Sequence, residues 1–131
     1  MALNLLRDLL RRVIRVLIID DNADAADSLA MLLELLGFQV RVASDGATGL
    51  RVAAEWEPRC VLLDIRMPGM NGYEVAHRLR AIPGLGSVKI VALSAFSDAS
   101  HINRLADTGF DHFFVKPADP EAVFAFLNSI D

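Results

Sequence analysis

The chain has 131 residues, 53% of them apolar, and its 13 basic and 17 acidic side chains leave a net charge of −4. One domain with a buried core accounts for such a length and composition, which excludes a disordered chain, and the acidic balance argues against a nucleic-acid-binding surface. Cys60 stands alone, so neither an intrachain disulfide nor a cysteine-based zinc site can form.

Met1 to Arg12 is leucine-rich but broken by Arg7, Asp8, Arg11 and Arg12, which spoils a signal peptide. No apolar run approaches the ~18 residues of a membrane span, so a cytoplasmic protein that does not enter the membrane is expected. Leu3, Leu6, Leu10 and Val13 follow three-and-four spacing, so residues 1–12 read as an extension suited to an amphipathic helix. Under two heptads is too short to be stable alone, so the segment is either a helix packed on a partner surface or a frayed extension. The remaining residues, 13–131, divide into five units, each a short apolar run followed by a helical stretch.

The apolar runs are Val16–Ile19, Phe38–Val42, Val61–Leu63, Ile90–Leu93 and Phe113–Val115. Four are nearly continuous, as strands buried on both faces are. The second alternates Phe38, Val40 and Val42 with Gln39 and Arg41, the pattern of an exposed edge. Helices are predicted over Asp24–Leu36, stopped by Gly37, and over Asp45–Glu57, closed by Pro58. Three more follow at Asn71–Ile82, Asp98–Asp107 and Pro120–Ile130, the last with Pro120 at its first turn. Alternating strands and helices specify an α/β fold with a parallel sheet.

Ligands of such sheets bind beyond the carboxyl ends of the strands. There the first strand ends in Asp20-Asp21, the third in Asp64, the fourth in Ser94 and the fifth in Lys116-Pro117. Taken alone, the aspartate pair is as readily a helix cap as a site. With Asp64 and Lys116 it becomes a cluster of carboxylates that repel one another unless a cation sits among them. Oxygen ligands without His or Cys favour a hard ion, Mg²⁺ before others. A carboxylate, an ammonium and a hydroxyl around that ion suit a phosphoryl group, and one carboxylate left to attack gives phosphoryl transfer to aspartate.

These residues resemble receiver domains of two-component response regulators, of the chemotaxis-regulator type. The carriers are Ile-Ile-Asp20-Asp21, Leu-Leu-Asp64-Ile-Arg-Met-Pro-Gly-Met-Asn-Gly, Ala-Leu-Ser94-Ala and Phe113-Phe-Val-Lys116-Pro117, and the match runs from about Arg15 to Ile130. The resemblance implies a flavodoxin-like (βα)5 fold, a doubly wound five-stranded sheet of order 2-1-3-4-5. It implies a signalling module rather than an enzyme, one that catalyses only its own phosphorylation and dephosphorylation. Asp64 would be the phosphoacceptor, and Asp20, Asp21, Asp64 and the backbone carbonyl of Arg66 would hold Mg²⁺, with Mn²⁺ as the alternative ion. Ser94 and Lys116 would hold phosphoryl oxygens, Ser94 and Phe113 would form the switch, and the Lys116–Pro117 bond would be cis.

The implied partners are a sensor histidine kinase or phosphotransfer protein and a downstream protein target. The target would dock on the face of the fourth helix, fifth strand and fifth helix, with self-association on phosphorylation. Phe124, about 100° from the inward Val123 on a helix, is predicted to lie exposed on that face, with core packing beneath the first or fourth helix as the alternative. Phe113 stands where tyrosine is common in the family, and Arg66 and Phe96 occupy positions that tune phosphoryl lifetime. A haloacid-dehalogenase-type phosphatase is disfavoured because Arg66 stands where a second aspartate is needed. A flavodoxin-like electron carrier is disfavoured because Asp20, Asp21 and Asp24 would repel a phosphate in the first loop. Cys60 reads as core, Trp56 as packing, and His77, His101 and His112 as surface residues without metal-ligand spacing.

Overall fold

The structure, a computed structural model, describes residues 2, 3, 5, 6, 14–95 and 109–130. The predicted helix at Asp98–Asp107, with Phe96 and His101, lies outside the described residues, as does most of the N-terminal extension. In chain order the elements are β1 (Arg15–Ile19), α1 (Ala23–Leu35), β2 (Gln39–Ala43), α2 (Gly46–Trp56), β3 (Cys60–Asp64), α3 (Gly72–Ala81), β4 (Lys89–Ser94), β5 (His112–Val115) and α4 (Pro120–Asn128). All five predicted strands are present, each within a residue or so of its sequence boundary, and so are the four predicted helices that fall among the described residues.

The strands pair in parallel in the order β2-β1-β3-β4-β5. Because side chains alternate across a strand, the three central strands feed two cores at once. Leu17, Ile19, Val61, Leu63, Ile90 and Ala92 face Ala53, Val75 and Leu79 of α2 and α3. Val16, Ile18, Cys60, Leu62, Val91 and Leu93 face Ala30 and Leu33 of α1 and Val123 and Leu127 of α4. The outer strand β2 is largely exposed, as its alternation predicts.

Helix ends follow their capping residues. Asn22, Asp45, Asn71 and Asp119 each accept a backbone N–H from the first turn of the helix they open. The aspartate pair Asp20-Asp21 therefore is not the cap of α1, because Asn22 fills that role. At the other end of α1, Gly37 (φ 99°) donates to the Glu34 carbonyl and Phe38 to that of Leu33. This left-handed closure needs glycine, and it turns Phe38 inward beside Leu33 in the core.

Phe124 departs from its prediction. It is half-buried, packed on the α1/α4 core, with its ring edge-on to Phe38 at 5.9 Å. The inward stripe of α4 is wider than its 3.6-residue spacing suggests, because Phe38, delivered by the Gly37 turn, fills the gap between the helices. Phe126, predicted to point inward, is also half-buried and stacks on the exposed His112 at 5.0 Å. Trp56 is the packing residue it was expected to be, with the Arg41 guanidinium 4.8 Å above its ring.

Candidate functional site

Parallel pairing brings the ends of β1, β3, β4 and β5 to one edge of the sheet. The winding reverses between β1 and β3, and it is there that the acidic residues meet. Asp20 follows β1 and is 2% exposed, Asp64 ends β3 at 6%, and Ser94 ends β4 at 1%. Asp21 turns outward to solvent. Oxygens of Asp20, Asp21 and Asp64 lie within 4.8 Å of one another. Asp21, Asn22, Asp64, Arg66, Ala95 and Lys116 line the open cleft above them.

Lys116 reaches in from the end of β5. Its Nζ donates to Asp20 Oδ2 at 2.7 Å and lies 3.3 Å from Asp64 Oδ2. The backbone N–H of Asn22 donates to Asp20 Oδ1 at 3.0 Å, and that of Arg66 to Asp64 Oδ1 at 3.2 Å. One ammonium cannot balance three carboxylates. Burial, together with the neighbouring Asp20, raises the Asp64 pKa to about 6 against the pull of Lys116. Burial works against the charged Lys116, but its hydrogen bond to Asp20 and the charges of Asp64 and Asp20 prevail and hold its pKa above the ordinary value.

Two local features show what this arrangement is fitted to hold. The Ser94 hydroxyl oxygen is buried with no hydrogen-bond partner among the described residues, a costly state that an incoming oxygen would relieve. Among the described residues the ligand atoms gathered at the cleft are carboxylate oxygens with neither imidazole nor thiolate beside them, which suits a small hard cation. The site residues thus fit a Mg²⁺-bound phosphoryl group.

Sequence reasoning passed over two positioning residues. Gly72, at the start of α3, sits so close that a Cβ there would lie 2.6 Å from the Asp64 carbonyl oxygen, and its N–H donates to Ile65 at 2.9 Å. Asn22 couples the α1 cap to Asp20. The signal for both was their place, immediately after an acidic strand end or opening a helix beside one. Phe113 is half-buried on the α2/α3 face of β5, paired in register with Ala92. The Lys116–Pro117 peptide is cis, as expected. Cys60 is fully buried, and burial, with the charge of Asp111, pushes its thiol pKa far up, which makes it inert core. His77 and His112 are exposed.

A five-stranded parallel sheet with three carboxylates at its switch point is the arrangement to set beside known proteins. The model of the response regulator receiver domain matches residues 16–128. The chain belongs to that family, the receiver domains of two-component response regulators. It is 38% identical over 111 residues to the DNA-binding response regulator MtrA of Mycolicibacterium paratuberculosis, covering 85% of this chain and 48% of that protein. It is 30% identical over 116 residues to the DNA-binding dual master transcriptional regulator RpaA of Synechocystis, covering 88% and 48%. The chain thus spans about half the length of the curated relatives it matches. Among solved structures, a CheY-like receiver domain from Methylobacillus flagellatus superposes with a TM-score of 0.82 at 30% identity, covering 91% and 99% of the two chains. The chemotaxis protein CheY4 of Vibrio cholerae shares the fold, with a TM-score of 0.84 at 24% identity, covering 91% and 99%. No described helix is long and apolar enough to cross a membrane.

Proposed function

We propose that residues 13–131 form a cytoplasmic receiver module in which Asp64 accepts a phosphoryl group from a phosphohistidine of a sensor histidine kinase or phosphotransfer protein. A carboxylate oxygen of Asp64 attacks phosphorus, the P–N bond breaks, and the departing imidazole takes up a proton. Asp20, Asp21, Asp64 and the Arg66 carbonyl are the residues that would hold Mg²⁺ or, in its place, Mn²⁺. Such an ion supplies positive charge against the phosphoryl oxygens. Lys116 pairs with one of those oxygens, and the Ser94 hydroxyl donates to another. The observation that carries this reading is the convergence of Asp20, Asp64 and Lys116 beside the Ser94 hydroxyl, which has no partner among the described residues.

Ser94 and Phe113 end the signal path on the protein's side. Drawing the Ser94 hydroxyl to the phosphoryl group biases Phe113 inward, and the surface of β5, α4 and the segment 98–107 changes for a downstream protein target. Self-association through that face on phosphorylation is part of the same reading, and the chemistry is confined to the module's own phosphorylation and dephosphorylation.

Incubation with Mg²⁺ and acetyl phosphate tests the phosphoryl chemistry. Intact mass is expected to rise by a single phosphoryl group, and chelation of the metal is expected to abolish the gain. Full labelling after chelation would refute the metal-dependent reading.

A further inference from the structure

Large exposed apolar side chains gather in two places among the described residues, with Val42 on the edge strand the remaining case. The first is the N-terminal segment, where Leu3, Leu5 and Leu6 are helical and 75%, 63% and 53% exposed. The second is the outer face of α1, where Met31 is 65%, Leu32 41%, Leu35 78% and Leu36 43% exposed. At 3.6 residues per turn these four span one face of about 140°, turned away from the buried Ala26, Ala30 and Leu33. A contiguous apolar face of this kind marks an interaction surface.

Charge distinguishes the two faces. From Ala23 to Leu35, α1 carries Asp24, Asp27 and Glu34 and no Lys or Arg, and Asp27 and Glu34 flank the Met31 side of the apolar face. The first twelve residues carry Arg7, Arg11 and Arg12 against Asp8 alone. Were the helical spacing of the sequence to continue past Leu6, Arg7 and Arg11 would fall together beside a stripe of Leu3, Leu6 and Leu10. Two such segments facing each other would set arginine against arginine. Laid on α1, the same segment sets leucine on leucine and arginine against carboxylate. The exposure of Leu3, Leu5 and Leu6 means that this copy's own α1 does not cover them.

We infer that a second copy of this chain covers α1 with its N-terminal segment, and does so reciprocally, giving an isologous dimer. Leu3, Leu6 and Leu10 of one copy pack on Met31, Leu32 and Leu35 of the other, and Arg7 and Arg11 pair with Asp27 and Glu34. The contact lies on α1, apart from β5, and does not require modification of Asp64.

Sedimentation equilibrium of the full chain tests this at low and high salt. Wild type is expected to dimerise, more weakly at high salt. The double variants Asp27→Arg/Glu34→Arg and Arg7→Glu/Arg11→Glu are each expected to raise the dimer Kd about tenfold, and their combination to restore it. Asp27 and Glu34 are exposed, so the fold is retained, and a thermal melt verifies this. Asp64→Asn is expected to dimerise like wild type, which separates this proposal from the phosphoryl-transfer reading. A monomer at every concentration, meaning docking within one chain or none, overturns the inference. So does dimerisation that the α1 reversal leaves untouched, the result for N-terminal segments pairing with each other.

Discussion

Ser94 and Asp64 carry the largest unmet demands of single residues in the cleft. A buried hydroxyl without a partner costs about 1–3 kcal/mol, so Ser94→Ala should leave stability unchanged or raise it while slowing phosphorylation at least tenfold. A denaturant melt beside a phosphorylation time course checks both halves. Asp64 makes a pH-dependent demand. Its folded pKa, raised to about 6, lies above the ordinary value of 3.8, so the folded state binds the proton more tightly than the unfolded chain. Stability of the metal-free protein from this group is therefore fully present below about pH 4 and is lost as pH rises through about 6. The cleft is open to water, and with that screening the loss is on the order of 1–2 kcal/mol. Melts from pH 4 to 7 in chelator should show it, and Asp64→Asn should abolish this component. The convergence of Asp20, Asp64 and Lys116 was legible because each is polar where an apolar run ends. The missing partner of Ser94 and the raised Asp64 pKa were not, since both depend on distances across four strands.

Elements were legible where chemistry is local. Asp45, Pro58, Gly37 and Pro120 mark helix ends because caps, turns and proline act within a few residues. The near-continuous apolar runs at β1, β3 and β4 announce burial on both faces, and the alternation at β2 announces an edge. The same reading of Phe113–Val115 fails because β5 is the other edge and only half-buried. Phe124 was misread because its neighbour, Phe38, is distant in sequence and is brought across by the Gly37 turn. With that contact in place, Phe124→Ala is expected to destabilise by about 2–3 kcal/mol, below the ~3–5 of a fully buried phenylalanine. Urea denaturation measures the change. A loss under ~0.5 kcal/mol would restore the exposed, partner-binding role.

On the scale of the whole molecule, order 2-1-3-4-5 could not come from periodicity, which fixes strands and helices but not which strands are neighbours. It came from resemblance, carried by the same acidic edge that the topology creates. That edge is coherent only if its crowded carboxylates serve one acceptor. Asp64 is buried at the end of β3 with Lys116 Nζ 3.3 Å from its Oδ2, Asp20 is tied to Lys116 and to the α1 cap, and Asp21 faces solvent. Hydride reduction of the phosphorylated protein converts an aspartyl phosphate to homoserine, and peptide mass spectrometry then locates it. The account predicts homoserine at position 64 alone. Homoserine at position 20 or 21, with Asp64 unaltered, would contradict it.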